Sequence, residues 1–101
     1  MPRVLIVEDN ELNRDMLSRR LERRGWNVSI AVDGREGIDA ARREHPELIL
    51  MDLSLPEVSG WDAARIIRGI PEISSIPIIA LSAHAMLEDR ASALAAGCDE
   101  F

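Results

Sequence analysis

The stretch Arg3–Glu8 reads RVLIVE, a continuous apolar run that ends at two acidic residues, Glu8 and Asp9. A run of this kind, without alternation between apolar and polar residues, predicts a strand that is buried on both faces of a sheet. Two later stretches have the same character: Glu47–Asp52 reads ELILMD and Ile78–Leu81 reads IIAL. Strands buried on both faces occur mainly in parallel sheets that carry helices on either side. These runs therefore predict the inner strands of such a sheet.

Helical patterns separate the apolar runs. Asn10, Asp33 and Ser59 stand where helix N-caps are expected, and each has an acidic residue close behind it. The first helix is predicted to end at Gly25 and the second at about Glu44. Apolar spacing predicts the inward faces of the first and third helices. These faces comprise Leu12, Met16, Leu17 and Leu21 in the first helix, and Ala63, Ile66, Ile67 and Ile70 in the third.

The order of elements predicts the fold class. Asn27–Val32 alternates and indicates a half-exposed strand at a sheet edge, and Leu87–Ala95 indicates a further helix. Strands and helices that alternate in this way indicate one α/β domain over residues 1–101, with a parallel sheet and right-handed crossovers. A fifth strand would begin at Cys98–Phe101, where the sequence ends. We therefore expect an incomplete architecture with four strands in the sheet.

Composition narrows the classes of function. The chain has 101 residues, enough for one small domain, and 47% of them are hydrophobic. No apolar run approaches the roughly 20 residues of a membrane span, and no signal peptide is evident, so no membrane partner is expected. The single cysteine suits a reducing cytoplasm, which is the expected location. The net charge of −6 argues against nucleic-acid binding.

Acidic and hydroxyl side chains follow the apolar runs. Glu8 and Asp9 come after the first run, Asp52 ends the second, and Ser82 follows the third. Ligands of open parallel sheets bind at the carboxyl ends of the strands, so these residues are expected to meet at one edge. Close carboxylates repel each other and require a proton or a cation between them. Oxygen ligands alone favour Mg²⁺, and a carboxylate can also serve as a nucleophile that becomes an aspartyl-phosphate.

Each of these residues also has an ordinary explanation when it is taken alone. Glu8 and Asp9 could be acids that favour a helix start, Asp52 could cap a turn, and Ser82 could be a loop hydroxyl. The functional interpretation depends on their combination at the ends of strands that are predicted to be neighbours.

Four segments resemble the successive signatures of a receiver domain, the CheY-like phosphoacceptor module of two-component response regulators. They are VLIVEDN (4–10), LILMDLSLPEVSGWD (48–62), PIIALSAHAM (77–86) and AAGCDEF (95–101). The resemblance implies a flavodoxin-like, doubly wound sheet with strand order 2-1-3-4. The family adds a fifth strand and a fifth helix, and both are expected to be missing from this sequence. The segments cover the chain in order, which makes the resemblance more specific than any one of them.

The resemblance assigns roles in the metal and phosphorylation site. Asp52 matches the phosphoacceptor aspartate, which also contacts the metal. Asp9 matches the carboxylate that binds Mg²⁺ directly, and Glu8 matches its neighbour that acts mainly through water. Ser54 matches the residue whose backbone carbonyl completes the metal site.

The resemblance also assigns residues of the switch. Ser82 matches the hydroxyl that moves onto the phosphoryl group, and Ala83 matches the small residue that leaves room for it. Phe101 matches the aromatic residue whose rotamer couples to that movement. His84 occupies a position that can tune loss of the phosphoryl group in the family, although an exposed loop histidine is the ordinary explanation.

A receiver of this kind would take its phosphoryl group from a histidine kinase or a histidine phosphotransfer protein and would control a downstream effector protein. Self-association is left open, because receivers often pair through the fourth helix, fifth strand and fifth helix, and this sequence lacks most of that surface. The family also carries a Lys beyond the aromatic residue, and this sequence contains no Lys. That departure leaves open a pseudo-receiver, an interaction module that works without phosphorylation. A Mg²⁺-dependent phosphatase of the haloacid dehalogenase class is a third hypothesis, although Ser54 stands where that class has its acid.

Overall fold

The computed structural model describes residues 2–53, 55 and 58–81. Within them the chain alternates between strands and helices, as the apolar pattern predicts. The elements are β1 (Arg3–Val7), α1 (Glu11–Arg23), β2 (Asn27–Ala31), α2 (Gly34–Glu44), β3 (Leu48–Asp52), α3 (Gly60–Arg68) and β4 (Ile78–Leu81). The helix predicted at Leu87–Ala95 and the strand start predicted at Cys98–Phe101 lie outside the described residues. None of the described helices has the length and apolar character needed to cross a membrane.

The strands form one parallel sheet in the order β2-β1-β3-β4. Ile6 of β1 pairs with Ile30 of β2 on one side and with Leu50 of β3 on the other. The predicted α/β class and the 2-1-3-4 order are thereby confirmed. The chain first crosses from β1 to β2 and then returns past β1 to β3, so the order reverses between β1 and β3. Ligand sites in doubly wound sheets lie at this reversal, outside the carboxyl ends of the strands.

Alternate residues of β1 serve two separate cores. Leu5 and Val7 point into the larger core, which α2 and α3 cover, whereas Val4 and Ile6 point into a smaller core on the α1 side. All four side chains are at most 1% exposed. This burial on both faces explains why β1 reads as an unbroken apolar run. It also fixes the strand rigidly beneath the acidic residues that follow it.

The three predicted N-caps are confirmed. In each cap, a side-chain oxygen accepts a hydrogen bond from the backbone N–H of the residue three positions later. The distances are 3.0 Å for Asn10, 2.8 Å for Asp33 and 3.2 Å for Ser59. Such bonds satisfy N–H groups that have no partner inside the helix. They define where α1 and α3 begin, immediately after the loops that leave β1 and β3.

The predicted inward face of α1 is only half right. Leu17 and Leu21 pack against the smaller core, but Leu12 is 70% exposed and Met16 is 50% exposed. A helix with 3.6 residues per turn places Leu12 about 180° from Leu21, so one face cannot hold all four residues. The buried face of α1 instead includes Ser18, which is 7% exposed.

The predicted inward face of α3 is wrong at one position. Ala63 and Ile67 are fully buried and Ile70 packs against the same core, whereas Ile66 is 45% exposed. Ile66 lies about 100° around the helix from Ile67, on the side away from the buried Ala64. The helix has therefore turned Ile66 outward to bring two alanines against the sheet.

Candidate functional site

The strand pairing brings three acidic residues to one edge of the sheet. Val7 pairs with Met51, so Glu8 and Asp9 emerge from β1 beside Asp52, the last residue of β3. The backbone N–H of Glu8 donates to the Ala31 carbonyl at 3.0 Å and so extends the ladder with β2. The acidic residues consequently start from ordered backbone rather than from a free loop.

Carboxylate oxygens of Glu8, Asp9 and Asp52 lie within 4.8 Å of one another. Glu8 is 5% exposed and Asp52 is 8% exposed, whereas Asp9 is exposed. The structure therefore gathers the three acids as the sequence predicted. The cluster has a buried side formed by Glu8 and Asp52 and an open side at Asp9.

Burial raises the pKa of Glu8 to about 7, because a charged carboxylate loses its hydration there. The negative charges of Asp52 and Asp9 and a side-chain hydrogen bond with Asp52 raise it further. A backbone hydrogen bond from Asn10 N–H to Glu8 Oε1, at 3.1 Å, acts in the opposite direction. The raised pKa favours the protonated form of the buried Glu8 carboxyl, and a cation in the cluster would favour loss of that proton.

The loop that carries Glu8 and Asp9 is held by Asn10, the N-cap of α1, and by Arg14 within α1. Asn10 caps the helix and also donates its N–H to Glu8. Arg14 donates from Nη1 to the Glu8 carbonyl at 3.1 Å and to the Asp9 carbonyl at 3.0 Å. The sequence did not single out Arg14, although an arginine in the first turn of a helix runs against the helix dipole and was a usable signal.

The start of α3 packs closely against the end of β3. Gly60, the first residue of α3, lies against the backbone of Asp52 and Leu53, and a Cβ there would come 2.7 Å from Leu53 Cα. The Leu53 N–H donates to the Leu81 carbonyl at 3.0 Å. The sequence does not indicate this close contact, since Gly60 stands at an ordinary helix start.

The remaining predicted site residues lie outside the described residues. They are Ser54, Ser82, Ala83, His84 and Phe101. Their predicted roles therefore stay predictions.

The donor set of the described cluster fits a hard divalent cation. All of its ligand atoms are carboxylate oxygens, the donors that Mg²⁺ prefers, and their mutual repulsion is what a cation would relieve. Glu8, Asp9 and Asp52 are the described residues that could hold such an ion, and Asp52 could also act as a nucleophile.

Residues 4–101 match the family model of the response regulator receiver domain. The chain belongs to this family. The receiver is also 41% identical over 98 residues to the polar-differentiation response regulator DivK of Brucella ovis, across 97% of this chain and 80% of that protein. Receivers are signalling modules of two-component systems, which agrees with the function that the sequence resemblance implied.

Solved structures of other receivers share the fold. The receiver domain of sensor histidine kinase PA1611 from Pseudomonas aeruginosa PAO1 holds a magnesium ion in its active site cleft. It is 36% identical to this receiver with a TM-score of 0.91, and the match covers 98% of this chain and 81% of that one. The receiver domain of Ssk1 from Saccharomyces cerevisiae was crystallised with the histidine phosphotransfer protein Ypd1. That match is 32% identical, with a TM-score of 0.90 and coverage of 98% and 75%.

Proposed function

We propose that this receiver accepts a phosphoryl group on Asp52 from a phosphohistidine donor in a Mg²⁺-dependent reaction. The observation that carries the proposal is the position of the Asp52 carboxylate, at the end of β3 with carboxylate oxygens of Glu8 and Asp9 within 4.8 Å. An aspartate with a purely structural role would not need two further carboxylates so close to it. With two further acids beside it, Asp52 belongs to a site that could hold a cation, and that cation would offset the negative charge of an incoming phosphoryl group.

In the proposed reaction an Asp52 carboxylate oxygen attacks the phosphorus of the phosphohistidine. A P–O bond forms, the P–N bond breaks, and its electron pair returns to the imidazole nitrogen of the donor. The product is an acyl phosphate on Asp52. Mg²⁺ supplies the charge stabilisation that the three phosphoryl oxygens require. Water later hydrolyses the acyl phosphate, which releases inorganic phosphate and restores the Asp52 carboxylate. Because Asp52 is itself the acceptor, the module catalyses only its own phosphorylation and dephosphorylation.

The proposed metal site consists of Asp9 and Asp52 as direct ligands, Glu8 through water and the backbone carbonyl of Ser54. The acidic cluster and the magnesium ion in the cleft of the PA1611 receiver support it. The exposed position of Asp9 suits an ion that keeps several water ligands, as Mg²⁺ does. The burial of Glu8 suits a role behind the ion.

The switch that we propose uses residues beyond β4. Ser82 donates a hydrogen bond to the phosphoryl group, Ala83 leaves room for it, Phe101 changes rotamer with it, and His84 tunes how fast the phosphoryl group is lost. Support comes from the family match, which extends over residues 4–101. Phosphorylation would then shift an equilibrium between two conformations that both exist beforehand.

The proposed donor is a histidine kinase or a histidine phosphotransfer protein. The similarity to the Ssk1 receiver, which was crystallised with the phosphotransfer protein Ypd1, supports this class of partner. We further propose a cytoplasmic location, a downstream effector protein as the output, and no nucleic-acid or membrane ligand. Self-association belongs to the same proposal and is measurable by sedimentation with and without phosphorylation.

The test is intact-mass measurement after incubation with acetyl phosphate and Mg²⁺. We expect one added phosphoryl group, which disappears with EDTA and in Asp52→Asn. Asp62→Asn is the matched control, because Asp62 is an exposed aspartate at the start of α3, and it should be labelled like the parent chain.

Labelling that survives Asp52→Asn would contradict the assignment of the phosphoacceptor. A chain that binds Mg²⁺ but gains no phosphoryl group from acetyl phosphate or from a phosphorylated histidine donor would favour the pseudo-receiver. Steady turnover of a phosphate ester would favour the phosphatase.

A further inference from the structure

Arg14 joins the first turn of α1 to the backbone of the acidic loop. Its Nη1 donates to the carbonyl of Glu8 at 3.1 Å and to that of Asp9 at 3.0 Å. The Arg14 side chain is half-buried, whereas its neighbours Asn13 and Asp15 on the helix are exposed. The guanidinium is therefore folded back onto the loop rather than extended into solvent.

These two hydrogen bonds replace the sheet ladder where it ends. The Glu8 N–H donates to the Ala31 carbonyl, and among the described residues the pairing of β1 with β2 and β3 ends at Val7. A charged donor makes hydrogen bonds that are stronger than those between neutral groups. One rigid group that holds two successive carbonyls fixes two peptide planes, and these planes set the directions of the Glu8 and Asp9 side chains.

The charge of Arg14 is otherwise unfavourable at this place. A cation in the first turn of a helix opposes the helix dipole, and a cation near a site for Mg²⁺ repels the ion. Its electrostatic effect on metal binding and its effect through loop geometry therefore have opposite signs. This opposition makes the two roles separable by experiment.

We propose that Arg14 is a positioning residue of the metal site, which holds the Glu8–Asp9 loop in the geometry that binds Mg²⁺. The inference rests on the proposed function, because it concerns the same site. Arg14 acts through the loop backbone and does not contact the ion.

The experiment measures the dissociation constant for Mg²⁺ by titration calorimetry, together with the free energy of unfolding in EDTA. Removing a residue that orients metal ligands weakens metal affinity by about 10- to 100-fold in other proteins, and we expect about tenfold for Arg14→Met. Arg14→Lys, which keeps a charge and several donors, should recover part of this loss. Arg19→Met is the matched control on the same helix, because Arg19 is exposed and, within the part of the chain that the structure describes, its ion pair is a 3.8 Å contact with Asp15.

The readout distinguishes three roles. A tighter affinity in Arg14→Met would mean that Arg14 acts only through its charge, and an unchanged affinity with lower stability would mean that it only supports the helix. Either result overturns the inference. If Arg14→Met does not fold, Arg14→Gln removes the cation with less disturbance and carries the same expectation.

Failure of the inference is distinguishable from failure of the proposed function. A parent chain that binds Mg²⁺ while Arg14→Met binds it equally well overturns only the role of Arg14. A parent chain that binds no Mg²⁺ at millimolar concentration removes the metal site and overturns both.

Discussion

Gly60 and Asp52 meet backbone to backbone, and no β-carbon fits between them. A Cβ on Gly60 would overlap the carbonyl oxygen of Asp52 and would lie 2.8 Å from its carbonyl carbon. The start of α3 is therefore seated directly against the last residue of β3. The N-terminus of α3 thereby holds the backbone of Asp52, the residue proposed to receive the phosphoryl group, in place.

We expect Gly60→Ala to destabilise the protein by about 1 to 3 kcal/mol, because the backbone that must yield is part of the sheet. Urea unfolding measures this change. Gly69→Ala is the control, since a Cβ there would approach only two carbonyl oxygens, at 3.4 and 3.7 Å. The close packing would be refuted if the two variants were equally stable.

The protonation of Glu8 makes stability depend on pH. Its pKa in the folded protein is about 7, against 4.5 for an unperturbed carboxyl. The folded state therefore binds the proton of Glu8 more tightly than the unfolded state does. In the absence of metal, the contribution of Glu8 to the free energy of unfolding is greatest below about pH 4.5 and is lost as the pH rises through about 7. Glu8→Gln, which keeps an acceptor for the Asn10 N–H, should remove this slope.

The expected gain for Glu8→Gln in EDTA at pH 8 is about 1 to 3 kcal/mol, below the limit of roughly 3.4 kcal/mol that the difference between the two pKa values sets. Urea titrations of both proteins at pH 5, 6, 7 and 8 would show it. Parallel stability profiles for Glu8→Gln and the parent chain would mean that Glu8 is ionised without cost, contrary to its burial.

Binding of Mg²⁺ should strengthen with pH over the same interval. A cation favours the ionised form of Glu8, so below about pH 7 the proton must leave as the ion binds. Calorimetry in buffers of different ionisation enthalpy would count the released proton. We expect close to one proton released at pH 6 and almost none at pH 8.5, and the pH dependence should vanish in Glu8→Gln.

Two adjacent isoleucines of α3 give a direct test of the helix orientation. Ile67 is fully buried and Ile66 is 45% exposed. Ile67→Ala should cost about 2 to 5 kcal/mol through lost burial and a residual cavity. Ile66→Ala should cost about 1 kcal/mol or less, because nearly half of the Ile66 side chain is already exposed to water and its loss leaves no enclosed cavity. Equal losses would require a different rotation of α3.

Sequence reasoning reached the sheet because apolar runs mark strands that are buried on both faces. The same reasoning placed Glu8, Asp9 and Asp52 together, since parallel strands end at a common edge. It failed on α1, where Leu12 and Met16 form an apolar pair on the outer face and Leu17 and Leu21 form another on the inner face. A count of apolar positions does not say which pair meets the sheet.

The contacts that tune the site had weaker signals. The hydrogen bonds of Arg14 join a side chain to backbone carbonyls, and such bonds leave no periodic pattern in a sequence. The raised pKa of Glu8 depends on burial, which exists only after the helices have packed. These features depend on the packed fold, whereas the identity of the acidic residues is evident from the sequence.

The Val7–Met51 pairing also governs when the site comes into being during folding. Its partners are far apart in the chain, and closing so large a loop is slower than forming either neighbouring helix. A fragment that contains only β1 and α1 has Glu8 and Asp9 but lacks Asp52. The cation would therefore bind only after β1 and β3 have paired, and it would stabilise the native state by mass action. It would have little effect on the rate of the folding steps that precede this pairing.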